Sequence, residues 1–580
     1  MRRRGKKVYY MRNIKKLKIK PVLAALLAIL LCLTGCKNPS GPRDESKESP
    51  EETGAFTESE SGVPGTGDSS ETETGDPEET GSEETDPSEN PGFVRPSAPT
   101  AFTDTTFYYD YPEIGVTYTN AIREDLTRFF LPAAIWGTVV NRGAEAGALT
   151  AEIDLETTFQ TVKGFGGSGC WWTNHLENYT EEQLDEMLIL LYTADGIGLT
   201  TFRHNIGGGQ SAETPDNKAA TVCVEEFEGF MNIERDEGMK VIRKLQSLGI
   251  DEFTLFMNSP PLRLLKNGDS RGADDGSSNL PRENYEAYVK YCADIMELYA
   301  LAGVPVRYLS PINEPQWEWG TTHNLQEGCH YEYQEVFDFD KMLIEEVEKR
   351  GLWTKVSVPE SAAWYDKPYT VTLVNSMYMD PVFRGHVDHI AVHDYGGTSL
   401  DKKNARMQYM MNGVLWEVHM TEWANTDSKT WKPGPPTTIA RSVVEDFTIL
   451  NCTQYEWWTL LEDGGQLGKK DEATGLMTLT KNGYALGQFS KFMTGATRVK
   501  LSLTDEADEV YGMAFIKNGQ VIVNLNNEAE EPRTVSLAGI SGVGHVYTTD
   551  ADYDLQYTGD VDAAYGITLL PGSVNTIVFE

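Results

Sequence analysis

Eight short runs of β-forming residues recur along residues 152–458, and each gives way to a longer stretch in which apolar residues fall three and four apart. This alternation restricts the chain more than any other feature. The runs are FQTVKGFGG, IGLTTFRHNIGG, EFTLFMNSPP, VPVRYLSPINEP, TKVSVPES, VDHIAVHDYGG, VLWEVHMTEWA and QYEWWTLLE. Between them, TEEQLDEMLILLY, RDEGMKVIRKLQSLG, ENYEAYVKYCADIMELYALAG and YQEVFDFDKMLIEEVEKRG carry the spacing of amphipathic helices. A period of roughly forty residues suits a parallel strand, its return helix and their loops. Eight such units predict an α/β chain with a (β/α)8 TIM barrel over residues 151–492.

After Phe492 the pattern changes to RVKLSLT, VYGMAFIKNGQVIVNLNN, RTVSLAG, GHVYTT, YGITLLP and NTIVFE, alternating runs divided by Gly, Asn and Asp. Asn518-Gly519 suits a two-residue hairpin, because both residues tolerate positive φ. A side-associated β-sandwich over residues 493–580 is expected, with ALTAEIDLE, near residues 147–156, as a candidate extra strand. Residues 101–150 are a further extension with no assigned element.

The start of the chain reads differently. MRRRGKKVYYMRNIKKLKIK is basic, and PVLAALLAILLCL has the length of an export signal rather than of a membrane span. Leu33-Thr34-Gly35-Cys36 resembles the lipobox of bacterial lipoproteins, so residues 1–36 are expected to be a lipoprotein signal with Cys36 as the lipidated residue. An ordinary signal sequence with a chance cysteine is the alternative. Residues 37–100 are Glu, Ser, Thr, Gly, Asp and Pro with almost no apolar residue, the composition of a disordered acidic tether. The tether holds about a third of the formal charge of −38, and the remainder is still acidic, which disfavours nucleic acid as a partner. Cys170, Cys223, Cys292, Cys329 and Cys452 form no CxxC pair, so neither a zinc site nor a disulfide pairing is specified.

Reactive groups of a TIM barrel stand at the carboxyl ends of its strands. Two glutamates do so: Glu314 after VPVRYLSPIN on the fourth run, and Glu422 after LWEVHMT on the seventh. Two facing carboxylates can cleave a glycosidic bond, one protonating the leaving oxygen while the other attacks the anomeric carbon. The glycines of NIGGGQ and GFGG suggest a phosphate loop, but no Lys-Ser pair follows them.

At this point the sequence resembles the retaining (β/α)8 glycoside hydrolases, and in detail family 30. The resemblance rests on GFGGSG, FRHNIGGG, NSPP, SPINEP followed by QEGC, WWTLLE, and NGYALGQFSKFMTGATRV at the passage from barrel to sandwich. It implies Glu314 as general acid/base, Glu422 as nucleophile and Asn313 as a partner of the sugar 2-hydroxyl. Arg203 is expected beside Glu422, holding it ionised. His393, Tyr395 and Asn258 would line the same subsite, and Trp458 would form its floor, Trp457 facing the other way. The plainer readings are a structural ion pair for Arg203 and a core position for His393. Trp171, Trp172, Trp317 and Trp319 are either outer sugar platforms or packing. No cofactor or metal is implied.

The same motifs look most like the endo-β-1,6-galactanase branch. Two departures, Leu262-Arg263-Leu264 after NSPP and Asp394 in VHDYGG, imply an altered cleft, in which Arg263 would face the substrate and recognise a carboxylate. Other specificities of the family (β-1,6-glucanase, xylanase, glucosylceramidase-like) are alternatives, as is a non-catalytic glycan-binding lipoprotein. The expected setting is an exported, monomeric, membrane-anchored surface protein acting on a β-linked glycan.

Overall fold

The computed structural model describes residues 149–580 except 210–232, 234–235, 323, 426–433, 462–465 and 505–508, together with a short antiparallel pair, Asp110–Tyr111 with Val116–Thr117. Cys36, the leader and the tether lie outside the described residues. Among the described residues no helix is long and apolar enough to cross a membrane.

Eight strand positions form the barrel: Gly164–Ser168, Thr201–Asn205, Glu252–Phe256, Val306–Ser310, the divided fifth strand Lys355–Val356 and Val358–Ser361, His389–His393, Glu417–Trp423 and Cys452–Trp457. All neighbours pair in parallel, and strand 8 pairs with strand 1. The two ends of the paired sheet are the two halves of strand 5, the first on strand 4 and the second on strand 6. The ring therefore closes through a strand interrupted at Ser357. Strands 1, 2, 6 and 8 are buried at every residue, which is why their sequences read as unbroken runs. At Gly166 in the first strand, a Cβ would fall 2.4 Å from the Thr201 carbonyl, so only glycine allows this approach.

Local signals set the helices. Thr180 and Gln183 form a reciprocal capping box at Glu181–Tyr192, and Tyr333–Arg350 ends at Gly351 with φ +66°. Further helices after the barrel strands include Gly238–Ser247, Tyr285–Leu301, Ser399–Met411, Pro436–Glu445 and Lys481–Met493.

The second sheet has nine strands paired continuously, and one of them is Leu149–Thr161, which lies between Thr497–Thr504 (antiparallel) and Arg533–Ala538 (parallel). Phe159-Gln160-Thr161, read above as the start of the first barrel run, belongs to this strand instead. Asn518 and Gly519 both have positive φ and turn Val510–Lys517 into Gln520–Asn527. Asn527 Nδ2 donates to the Leu569 carbonyl, although Ile567–Leu569 ends the sheet several strands away. Val523, Leu525, Val535 and Ile577 share one fully buried core. The sheet thus curls over itself and encloses this core as a sandwich does, with no break in its pairing. Its other face packs on Pro436–Glu445 and Lys481–Met493.

Candidate active site

Glu314 follows strand 4 in the turn Pro311-Ile312-Asn313-Glu314-Pro315 with φ +43°, an unfavourable conformation for a side-chain-bearing residue. Two contacts hold it there: its N–H donates to the Glu360 carbonyl at 2.9 Å, and the Trp319 indole N–H donates to its own carbonyl at 3.0 Å. The side chain is 8% exposed, and its Oε1 accepts from His393 Nδ1 at 3.0 Å. Burial raises its affinity for a proton above the ordinary carboxyl value, and His393 offsets this only in part.

Glu422 stands opposite His393 in the register of strands 6 and 7, beside a shift in the ladder. Its Oε2 accepts from Arg203 Nη1 at 2.5 Å, the Tyr395 phenol bonds the same carboxylate, and Oε1 lies 3.7 Å from His393 Nδ1. Arg203, fully buried on strand 2, also donates from Nη2 to Asn313 Oδ1 at 3.2 Å, and its guanidinium lies 3.7 Å over the Phe256 ring. One guanidinium therefore ties strand 2 to Asn313, beside the acid of strand 4, and to the acid of strand 7 itself. Oxygens of Glu314 and Glu422 and a ring nitrogen of His393 lie within 4.8 Å of one another. Burial works against the His393 imidazolium, but Glu422, Glu314 and Glu360 outweigh it and push its pKa up to about 9.

Trp458 turns over the barrel mouth, edge-on to Trp171 at 5.2 Å and to Phe256 at 6.3 Å, while Trp457 packs outward against Trp423. Asn258 joins this group through Cys170, donating to its Sγ at 3.8 Å. Arg203, Asn313, Glu314, His393, Tyr395 and Glu422 are thus in direct contact, with Asn258 and Trp458 beside them. Of the other tryptophans, Trp171, Trp172 and Trp319 are buried, and Trp317 is 42% exposed. Cys170, Cys292, Cys329 and Cys452 are buried and form no disulfide among the described residues.

Arg263 is exposed, with its guanidinium 5.9 Å from the centre of the Tyr291 ring on the helix Tyr285–Leu301. One expectation is corrected. Asp394 does not alter the cleft. Neighbouring residues on a strand face opposite ways, and its side chain turns to Lys402 Nζ at 3.0 Å and Ser442 Oγ at 2.8 Å behind the barrel wall.

Sequence reasoning passed over Glu360, at the end of strand 5 in VPES. It is 1% exposed and accepts from Thr421 Oγ1 at 2.6 Å, Ser357 Oγ at 2.9 Å and His393 Nε2 at 3.2 Å. Its strand-end position was the available signal. Glu327 of QEGC is also buried, accepting the Gly208 N–H at 2.8 Å, and it thereby ties the QEGC loop to NIGGG.

Residues 148–371 match the O-glycosyl hydrolase family 30 model. The chain is 23% identical over 423 residues to an endo-beta-1,6-galactanase from Hypocrea rufa, a match covering 67% of this chain and 83% of that protein. A conserved exported protein from Bacteroides fragilis shares the fold with a TM-score of 0.65 and 20% identity, over 74% of this chain and 100% of that one. A family 30 subfamily 8 xylanase from Clostridium acetobutylicum gives 0.57 and 22%, over 74% and 99%. A parallel barrel carrying two buried acids at the ends of strands 4 and 7, with these relatives, defines a glycoside hydrolase. Over residues 148–371 the chain is similar to glycoside hydrolase family 30.

Proposed function

We propose that the enzyme cleaves a β-linked polysaccharide with retention of configuration, in the manner of an endo-β-1,6-galactanase, with Glu314 as general acid/base and Glu422 as nucleophile. The observation that carries this reading is the placement of their oxygens within 4.8 Å in unlike surroundings. Retaining enzymes hold their carboxyls about 5–5.5 Å apart, whereas inverting enzymes leave about 6.5–9.5 Å for a water. Glu314, buried and inclined to keep its proton, suits the acid. Glu422, oriented by Arg203 and Tyr395, suits the nucleophile.

In the first step a Glu422 oxygen bonds to the anomeric carbon, the glycosidic bond breaks, and the Glu314 proton passes to the departing oxygen. In the second step Glu314 takes a proton from a water whose oxygen displaces Glu422. Both carboxyls end as they began. Asn313, fixed by Arg203, is placed to bond the sugar 2-hydroxyl, Trp458 to carry the apolar sugar face, and Asn258, His393 and Tyr395 to complete the subsite. The galactan specificity is supported by the Hypocrea relative and by the RHNIGGG, NSPP and QEGC motifs.

The test is a set of β-1,6-galactan, β-1,6-glucan and xylans with NMR of the first product, together with two variants. Glu422→Gly is expected to lose activity by about 10³-fold or more and to regain turnover with azide, and Glu314→Gln to lose about 10²–10⁴-fold on substrates with poor leaving groups. An inverted first product overturns the mechanism; xylan as the preferred substrate overturns the specificity alone.

We further propose that the protein is exported as a monomer and held at the membrane surface by acyl chains on Cys36, facing a glycan substrate. Incorporation of labelled palmitate that persists in Cys36→Ser would refute the anchor.

A further inference from the structure

We infer that Glu360 is a positioning residue of this enzyme, acting on Glu314 through His393 and on Glu422 through Arg203. Double displacement uses two carboxyls and gives no task to a third. Yet Glu360 is buried within the same assembly, 3.6 Å from Arg203 Nη2, where a further negative charge would repel the nucleophile unless the two cations required it.

Each of its contacts bears on a reacting group. Oε2 accepts from His393 Nε2, the nitrogen opposite the one that faces Glu314. A neutral imidazole has a single N–H, so a carboxylate at each nitrogen favours the ring that holds both protons. Glu360 thereby keeps a cation against Glu314. Its carbonyl also receives the Glu314 N–H at 2.9 Å, so the same residue fixes the acid's backbone. Thr421 and Ser357 in turn fix Glu360, which itself has φ +53°. Arg203 and His393 hold its carboxyl well below the usual range despite burial. The groups facing this assembly are Glu314, Glu422, Thr421, Tyr395, Arg203 and, beyond Arg203, Glu456 on strand 8.

The inference rests on Glu314 being the general acid, and the experiment separates the two. Wild type, Glu360→Gln, His393→Asn and the double variant are compared by the pH profile of kcat/KM. Removing the Glu360 charge weakens the hold on the imidazolium, Glu314 keeps its proton to higher pH, and the basic limb moves up by about one unit. In the His393→Asn background Glu360→Gln is expected to leave that limb in place. A Glu360→Gln that lowers kcat without moving the limb, or that moves it equally in both backgrounds, overturns the inference. If Glu360→Gln does not fold, Glu360→Asp, which keeps the charge but draws the carboxylate back from His393 Nε2, must shift the same limb upward by less; no shift refutes the relay. A basic limb that persists in Glu314→Gln would instead refute the assignment of the acid.

Discussion

Glu314 and Glu360 both sit at positive φ, a conformation that costs a residue with a Cβ about 1–3 kcal/mol unless its surroundings impose it. Here they impose it mutually, since the Glu360 carbonyl holds the Glu314 N–H. The two catalytic candidates were legible because strand ends are where a barrel does chemistry and the pair has a known use. Glu360 obeyed the same rule and was missed because two carboxylates already completed the reaction. Asp394 was misread because a sequence gives a residue's segment and not the direction of its side chain. His393 carries a residue-scale prediction. Its folded pKa, about 9, exceeds its unfolded value of about 6.5, so its contribution to stability is complete below pH 6.5 and is lost as pH rises through 9. Thermal melts of wild type and His393→Gln between pH 6 and 10 are expected to converge toward the alkaline end. Parallel curves would show that the imidazolium is not held in the folded state.

At the scale of elements, the eight barrel strands were readable because each is a buried run between turn residues. Gln556–Asp562 was not, because Gly559 interrupts a run of Thr, Gln and Asp with little apolar alternation. The division of strand 5 was equally hidden, since only its two partners reveal that it changes neighbours at Ser357. The cluster behind strand 6 depends on three separate elements. Lys402, 3% exposed on Ser399–Met411, meets Asp394 at 3.0 Å and Asp446 at 2.8 Å. Burial, together with the nearby Asp394 charge, pushes the Asp446 carboxyl up to about 8, so this lysine compensates acids that water does not reach. Lys402→Met is expected to destabilise the protein by about 3–5 kcal/mol in urea unfolding, because it strands buried carboxyls. Lys402→Met with Asp394→Leu should recover part of the loss, and an additive double variant would mean that the pair is not coupled.

Among the described residues from 149 to 580, one barrel and one curled sheet share a helical wall. The run ALTAEIDLE was legible as a strand of the second sheet, but not that it extends through Phe159-Gln160-Thr161 or that it lies between Thr497–Thr504 and Arg533–Ala538, because pairing between distant segments leaves no local pattern. A chain ending at residue 494 would leave that strand without its antiparallel and parallel partners and expose Phe489, Phe492 and Met493. It is expected to be insoluble, whereas a chain from residue 145 to 580 is expected to be soluble and fully active, as gel filtration and a turnover assay would show. Thr150 N–H donates to Thr504 Oγ1 across 354 positions of the chain. This strand cannot be seated until Thr497–Thr504 and Arg533–Ala538 have been made, so the second sheet closes on it long after the strand itself leaves the ribosome. Any stalled or clipped copy carries an open edge, a ready template for association with other chains.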